Sequence, residues 1–203
     1  FVKTGGRLPY NQASKAETWS DTVIFSLLQT WLYKNRISKL HAQLGIPPDY
    51  AQSRNLPLQR ETRKLTLIGE DIYQREQSMY PGAVEPWLAM RNAAQRDGVV
   101  LQPVSAFRSV AYQEGIIQRK ISKGIPMQQI LEVSAAPGYS EHHTGRALDL
   151  TTPGSPVLEE PFEETDAFAW LCKSAQEFGF QLSFPRDNPH GIAYEPWHWA
   201  WQD

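Results

Sequence analysis

Residues 140–149 read Ser140-Glu141-His142-His143-Thr144-Gly145-Arg146-Ala147-Leu148-Asp149. Two metal-ligand residue types, His142 and Asp149, flank a glycine turn. Beyond Gly145 the run from Arg146 to Thr151 begins a strand. On it Ala147 and Asp149 share one face, and Leu148 and Leu150 pack the other. A lone carboxylate between two leucines has no apolar reason to be there. A His-x6-Asp pair is a weak signal by itself, because polar turn residues commonly precede strands. It gains weight from what lies around it.

Near the C-terminus Glu195-Pro196-Trp197-His198 offers a second imidazole and a second carboxylate. His142, Asp149 and His198 make three nitrogen and oxygen ligands, and Glu195 is a spare acid. That is the donor set of a catalytic zinc site with an open position. On a regular strand Glu195 and His198 point to opposite sides. Pro196 cannot donate a ladder hydrogen bond, so a bulge or edge is expected there to bring both to one place. Upstream, Arg108 falls where a strand gives way to a helix. A guanidinium there suits bidentate binding of a carboxylate, against the commoner fate of a surface ion pair. Gln113, one turn on, adds an amide contact. His143 is expected to face away from the ligands, at the surface or behind them. His41 and His190 read as solvated helix and turn residues. Cys172 reads as an inert thiol on the apolar face of a helix.

The composition is that of an ordinary globular chain. A net charge of -2 gives no sign of a nucleic-acid or polybasic membrane partner. The single cysteine excludes an intramolecular disulfide and a cysteine-ligated zinc site. The apolar run over residues 23–33 is interrupted by polar residues and is too short to span a bilayer. The chain begins at Phe1, which reads as a processed or trimmed form.

Elements follow from periodicity. Residues 1–16 read as an extended arm. Ile24, Leu27, Leu28, Trp31 and Leu32 mark a helical face, capped by Thr18 or Ser20 and ending at Gly45, with core packing expected for its aromatic stripe. Residues 46–65 read as a surface connection. Residues 65–68 are a short strand, residues 70–79 a short helix or loop, and residues 83–96 a helix presenting Trp87, Met90 and Ala94. Residues 99–107 alternate as a core strand. Ser109 caps a helix to about Ser122, whose apolar side includes Ile116, Ile117, Lys120 and Ile121. A short helix spans residues 126–133. Thr165 caps another that runs to Phe178, with Phe168, Leu171, Cys172 and Ala175 inward. Residues 181–184 and 192–201 form a strand pair. The pattern is α+β with an N-terminal helical extension.

Taken together, Ser140-x-His142-x-x-Gly145-x-Ala147-x-Asp149, Glu195-x-x-His198 and Ser105-x-x-Arg108-Ser109 resemble the VanY-type zinc D-alanyl-D-alanine carboxypeptidases, within the group that also holds lysostaphin-like and hedgehog-like zinc folds. The resemblance covers roughly residues 67–201. It implies a small central antiparallel sheet carrying the metal and flanked by helices, in a zinc carboxypeptidase domain over residues 66–203; the arm and helical extension over residues 1–65 depart from the family pattern. It implies Zn2+ held by His142, Asp149 and His198, with Glu195 as catalytic base. Arg108 then acts on the substrate's terminal carboxylate or the tetrahedral intermediate, and Ser140 and Gln113 line the pocket.

The implied reaction is removal of the terminal D-alanine from peptidoglycan stem peptides by Glu195-activated water. L,D-carboxypeptidase action on tetrapeptide stems and endopeptidase action are the enzymatic alternatives. A zinc-containing wall-binding module is the non-enzymatic one. Glu195 argues against the last, since a structural site has no use for a non-ligand acid. A periplasmic or cell-envelope location follows from the same resemblance.

Overall fold

The computed structural model describes residues 13–202, with side chains from residue 23 on. It divides into two compact units, one up to Leu40 and one from His41 onward. The boundary expected at residue 65 falls inside the second unit.

Helix α1 (Ala13–Leu44) begins earlier than its periodicity indicates. Residues 1–12 of the expected arm lie outside the described residues; residues 13–16 are helical, so Thr18 and Ser20 lie within α1 and do not cap it. Gly45 ends it at φ +73, a left-handed stop that a side chain disfavours. The aromatic stripe expected to pack a core does not. Phe25, Leu27 and Trp31 are 62%, 65% and 58% exposed. Helical periodicity marks an apolar face but says nothing of whether another layer covers it.

The second unit is built on a four-stranded antiparallel sheet. Its strands are β3 (Gln102–Ser105), β4 (Ala147–Thr151), β5 (Phe180–Leu182) and β6 (His198–Trp201), in the order β3-β4-β6-β5. Pro103 is tolerated because β3 is an edge strand and the register slips between Pro103 and Ser105. Leu148 pairs with Trp199 across β4 and β6, and Asp149 pairs with His198. Alternation therefore puts Leu148, Leu150 and Trp199 on one face and Asp149 and His198 on the other. The apolar face packs with α3 (Pro81–Arg96) and α6 (Asp166–Ser174) in one core that includes Trp87, Met90 and Leu171. The polar face is left for the site.

Helix α6 turns Ala167 and Leu171 inward, and Ala175, just past its end, is buried as well. Cys172, one residue and about 100° further round than Leu171, is exposed, against the expectation of a core thiol. Residues 70–79 are not a helix. A two-stranded hairpin of β1 (Thr66–Glu70) and β2 (Glu76–Met79) forms instead. Its turn is organised by the Asp71 carboxylate, which accepts from the backbone N–H of Tyr73 and Arg75, from Arg75 Nε and from Gln77 Nε2. Gln77 Oε1 in turn accepts the Ala106 N–H at 2.8 Å, tying the hairpin to the end of β3.

Residues 46–65 are more than a surface connection. They include the short helix α2 (Tyr50–Ser53), and Ile46, Tyr50 and Leu56 form a second small core with Leu131 and Ala136. Further on, Gln59 N–H donates to Gly138 O, Thr62 N–H donates to His143 O, and Glu61 accepts the Val110 N–H. The segment thereby straps the loop that carries Ser140–Gly145. His41, read as solvated, is buried beside it and bonds through Nε2 to Pro137 O at 2.8 Å. His190 is half-buried and bonds Arg54 O.

Candidate metal centre

Ser109 begins α4 (Val110–Ser122), its hydroxyl accepting the Tyr112 N–H at 3.0 Å. β3 stops at Ser105, so Arg108 lies on the short segment between the strand and the capped helix. Helix α5 (Met127–Glu132) and the loop after it lead to a 3-10 turn, Glu141–Thr144, closed by Gly145 at φ +71. The turn brings His142 beside Asp149 of β4. His142, Asp149 and His198 are all buried, and one donor atom from each lies within 4.8 Å of the others.

Glu195 and His198 are not on a bulged strand. They are the ends of a turn that leads into β6 at His198, closed by His198 N–H to Glu195 O at 3.0 Å. The expected convergence occurs, through a different local geometry. Glu195 Oε2 stands 3.8 Å from His198 Nδ1.

The distances inside the cluster suit a small tetrahedral ion. Asp149 Oδ1 is 3.3 Å from His142 Nε2 and 3.1 Å from His198 Nδ1. Ligands about 2.0–2.1 Å from one zinc are separated by about 3.3 Å along a tetrahedron edge. The ring nitrogens facing away from the cluster are occupied. His142 Nδ1 bonds Ala106 O at 2.5 Å, and His198 Nε2 bonds Glu141 Oε2 at 2.8 Å. Each partner takes the outer N–H and turns the other nitrogen's lone pair inward, as metal-ligating histidines require. The donor set and its outer partners therefore fit zinc.

Electrostatics follow from burial and the shared charges. Burial and the Arg108 charge push the His142 pKa down to about 4. Burial would lower His198 as well, but its bonds to Asp149 and Glu141 outweigh it and raise the pKa. Burial opposes ionisation of Asp149, yet His142 and Arg108 hold the carboxyl well below the usual range. Desolvation raises Glu195 to about 7, with His198 opposing. A carboxyl with that pKa sits where a proton carrier is useful at neutral pH.

Arg108 is no surface ion pair. Its Nη2 meets Asp149 Oδ2 at 3.2 Å, its Nη1 donates to Gln113 Oε1 at 3.4 Å, and its buried Nε has no partner among the described residues. Gln113 is itself fixed by Nε2 donating to Ala135 O at 2.7 Å. Ser140, Gln113, Arg108 and Glu195 all line one cleft of about 390 Å³ together with His142, Asp149 and His198. His143 is neither ligand nor surface residue. It is buried, with Nδ1 at Arg108 O and Nε2 accepting the Gly138 N–H, and so braces the two loops of the site.

Two residues of the site escape a reading of spacing. Glu141 carried no assignment although it sits between Ser140 and His142; only the fold brings it to His198. Lys120 read as part of an apolar helix side, yet it lines the cleft.

Fold and cluster together define a class: an α+β protein whose antiparallel sheet carries a buried His-Asp-His metal cluster under a cleft. The chain belongs to the VanY D-alanyl-D-alanine carboxypeptidase family, whose sequence model matches residues 76–203. It is 35% identical over 121 residues to YodJ of Bacillus subtilis, covering 57% of this chain and 43% of that protein. It is 29% identical over 129 residues to a D-alanyl-D-alanine carboxypeptidase of Enterococcus faecalis, covering 58% and 46%. It thus spans less than half the length of these curated relatives. Among solved structures, the LD-carboxypeptidase LdcB superposes with TM-score 0.63 at 28% identity over 71% of each chain. A vancomycin-resistance D,D-pentapeptidase VanY in complex with Zn(II) shares the fold, with TM-score 0.53 at 23% identity over 74% of this chain and 80% of that one.

Proposed function

We propose that this protein is a zinc-dependent carboxypeptidase that removes the C-terminal D-alanine from peptidoglycan stem peptides. The observation that carries the reading is a carboxyl of raised pKa, Glu195, 3.8 Å from a buried His-Asp-His donor set. A purely structural metal site needs no such group. Family membership supplies the substrate class.

His142 Nε2, Asp149 Oδ1 and His198 Nδ1 are assigned as the zinc ligands. Zinc held there supplies Lewis acidity, polarising the scissile carbonyl and lowering the pKa of water. Glu195 takes the proton from the attacking water and returns it to the leaving amine. Arg108 receives the substrate's terminal carboxylate. Its guanidinium stays in the cleft by its contacts with Asp149 and Gln113, and its buried Nε–H is free to donate. Gln113 and Ser140 complete the wall around that carboxylate. A clamp for a free C-terminus makes the enzyme an exopeptidase.

Removal of D-alanine from tetrapeptide stems, an L,D activity, is the second reading, supported by the 28% identity to the LD-carboxypeptidase LdcB. No helix among the described residues is long and apolar enough to cross a membrane. Action on wall peptides places the protein outside the cytoplasm, in the periplasm or cell envelope.

The test is digestion of defined pentapeptide and tetrapeptide stems, read by mass spectrometry, with zinc quantified in the same sample. Loss of one terminal residue from pentapeptides supports the primary reading, and loss from tetrapeptides alone supports the second. Cleavage of cross-linked dimers without loss of terminal residues refutes both and makes the protein an endopeptidase. Stoichiometric zinc with no cleavage of any of these refutes the enzymatic reading.

A further inference from the structure

Helix α4 presents Gln113, Ile116 and Lys120 to the cleft, at the three- and four-residue spacing of one helical face. Gln113 and Ile116 are explained by the clamp and by the apolar wall. Lys120 is not. It is half-buried, and its Nζ donates to Ser134 Oγ at 2.7 Å. Among the described residues no carboxylate lies within 4 Å of it, although the chain forms such pairs elsewhere, as at Arg75–Asp71 and Arg186–Glu163. The Ser134 hydroxyl passes its own proton to Val133 O, so it meets Lys120 as an acceptor.

An ammonium carries three donors, and the described residues satisfy one. Desolvation lowers the Lys120 pKa; Glu195 attracts the charge and Arg108 repels it. Holding a cation in a partly dry cleft without an ion pair is costly, and the cost is recovered when an anion arrives. Ser134 lies next to Ala135, whose carbonyl holds Gln113, and Gln113 holds Arg108. The two cations of the cleft are therefore linked through one hydrogen-bonded wall.

We propose that Lys120 is a substrate-binding residue that takes a carboxylate of the peptide, alongside the group assigned to Arg108. This rests on the carboxypeptidase reading. The carboxylate has two possible sources. One is the C-terminus of the leaving residue, shared with Arg108. The other is a side-chain carboxylate on a diamino-dicarboxylic residue on the acyl side of the scissile bond. A merely structural Lys120, tethering α4 to the loop at Ser134, binds neither.

The experiment uses the whole chain with zinc bound and Glu195→Gln to stop turnover. Binding is measured by calorimetry for four stem peptides: the free acid, its C-terminal amide, the form amidated only on the side-chain carboxylate, and the doubly amidated form. Lys120→Met is expected to weaken the free acid about 10–100-fold, the range of a charge-assisted hydrogen bond. The loss should disappear for the peptide in which the carboxylate gripped by Lys120 is amidated, which identifies the source. Lys120→Arg should restore most of the affinity. Lys120→Gln keeps a donor for Ser134 and drops the charge, so it should behave like Lys120→Met while melting like the parent protein.

An equal loss for all four peptides, or no loss for any, overturns the proposal. So does full affinity in Lys120→Gln. Turnover of the free acid by the chain with Glu195 intact is run beside it. A peptide that binds but is never shortened sinks the carboxypeptidase reading, while the binding comparison still decides the role of Lys120.

Discussion

At Gly145 the backbone of the site leaves no room for a side chain, and Gly145→Ala tests that. Gly145 adopts φ +71, in the left-handed region, and a Cβ built on it meets Tyr80 N at 2.8 Å, Thr62 Cγ2 at 3.2 Å and Leu65 Cδ2 at 3.4 Å. The nearest of these is backbone. It cannot swing aside, because the Tyr80 N–H donates to Gly145 O at 2.8 Å and opens α3. Left-handed geometry costs a non-glycine residue about 1–2 kcal/mol. Relieving an overpacked contact adds about 1–3 kcal/mol. The sum is about 2–5 kcal/mol, or roughly 4–20 °C in melting temperature for a chain of this size.

Gly154→Ala is the matched control. Gly154 has φ +84 but nothing within 4 Å of its Cβ position, so it carries the conformational cost alone. Thermal unfolding of both variants, followed by circular dichroism at one zinc concentration, separates the two terms. Gly145→Ala should melt several degrees below Gly154→Ala. It should also bind zinc less tightly, because the turn it closes carries His142. Equal melting temperatures for the two variants would refute the claim that close approach of the Tyr80 backbone, rather than φ alone, demands glycine.

Three further outcomes are expected. Glu195→Gln should lower kcat by about 10²–10⁴-fold while zinc content stays at the parent level; retained turnover removes Glu195 from the mechanism. In the proposed mechanism Glu195 works as the carboxylate, and burial raises its pKa to about 7, so kcat/KM should fall as pH drops through that value. A bound cation can only move that limb to lower pH, and a limb well above 7 in a pH–rate profile contradicts the assignment. Asp71→Asn should destabilise the chain by about 1.5–3 kcal/mol, the worth of a charged hydrogen-bond acceptor, because that one carboxylate accepts from Tyr73, Arg75 and Gln77 together. Denaturant unfolding reads it, and an unchanged midpoint counts against the hairpin network.

The candidate metal donors were legible because residue type and local spacing carry them. A carboxylate wedged between Leu148 and Leu150, an imidazole before a glycine turn and an acid three residues before another imidazole are visible without a fold. Ser109 and Thr165 were equally legible as caps, since a cap is a contact with a backbone N–H three residues away. The hairpin at residues 66–79 was not. Its turn depends on a buried carboxylate whose partner Gln77 is fixed by Ala106, about thirty residues on. The Glu195–His198 turn was anticipated in its result and mistaken in its form, because proline excludes a regular strand without choosing between a bulge and a turn.

By itself, then, the sequence pointed to the candidate donor set, two helix caps and the family, all of which rest on residue chemistry within a few positions. Only the tertiary structure decided the rest. It put Glu141 behind His198 and Lys120 in the cleft, buried His41 and His143, and left Cys172 and the aromatic stripe of α1 exposed. The physical reason is the same in each case. Whether a side chain is covered, paired or aimed at a site depends on what another element places opposite it, and periodicity along one element holds no record of that neighbour.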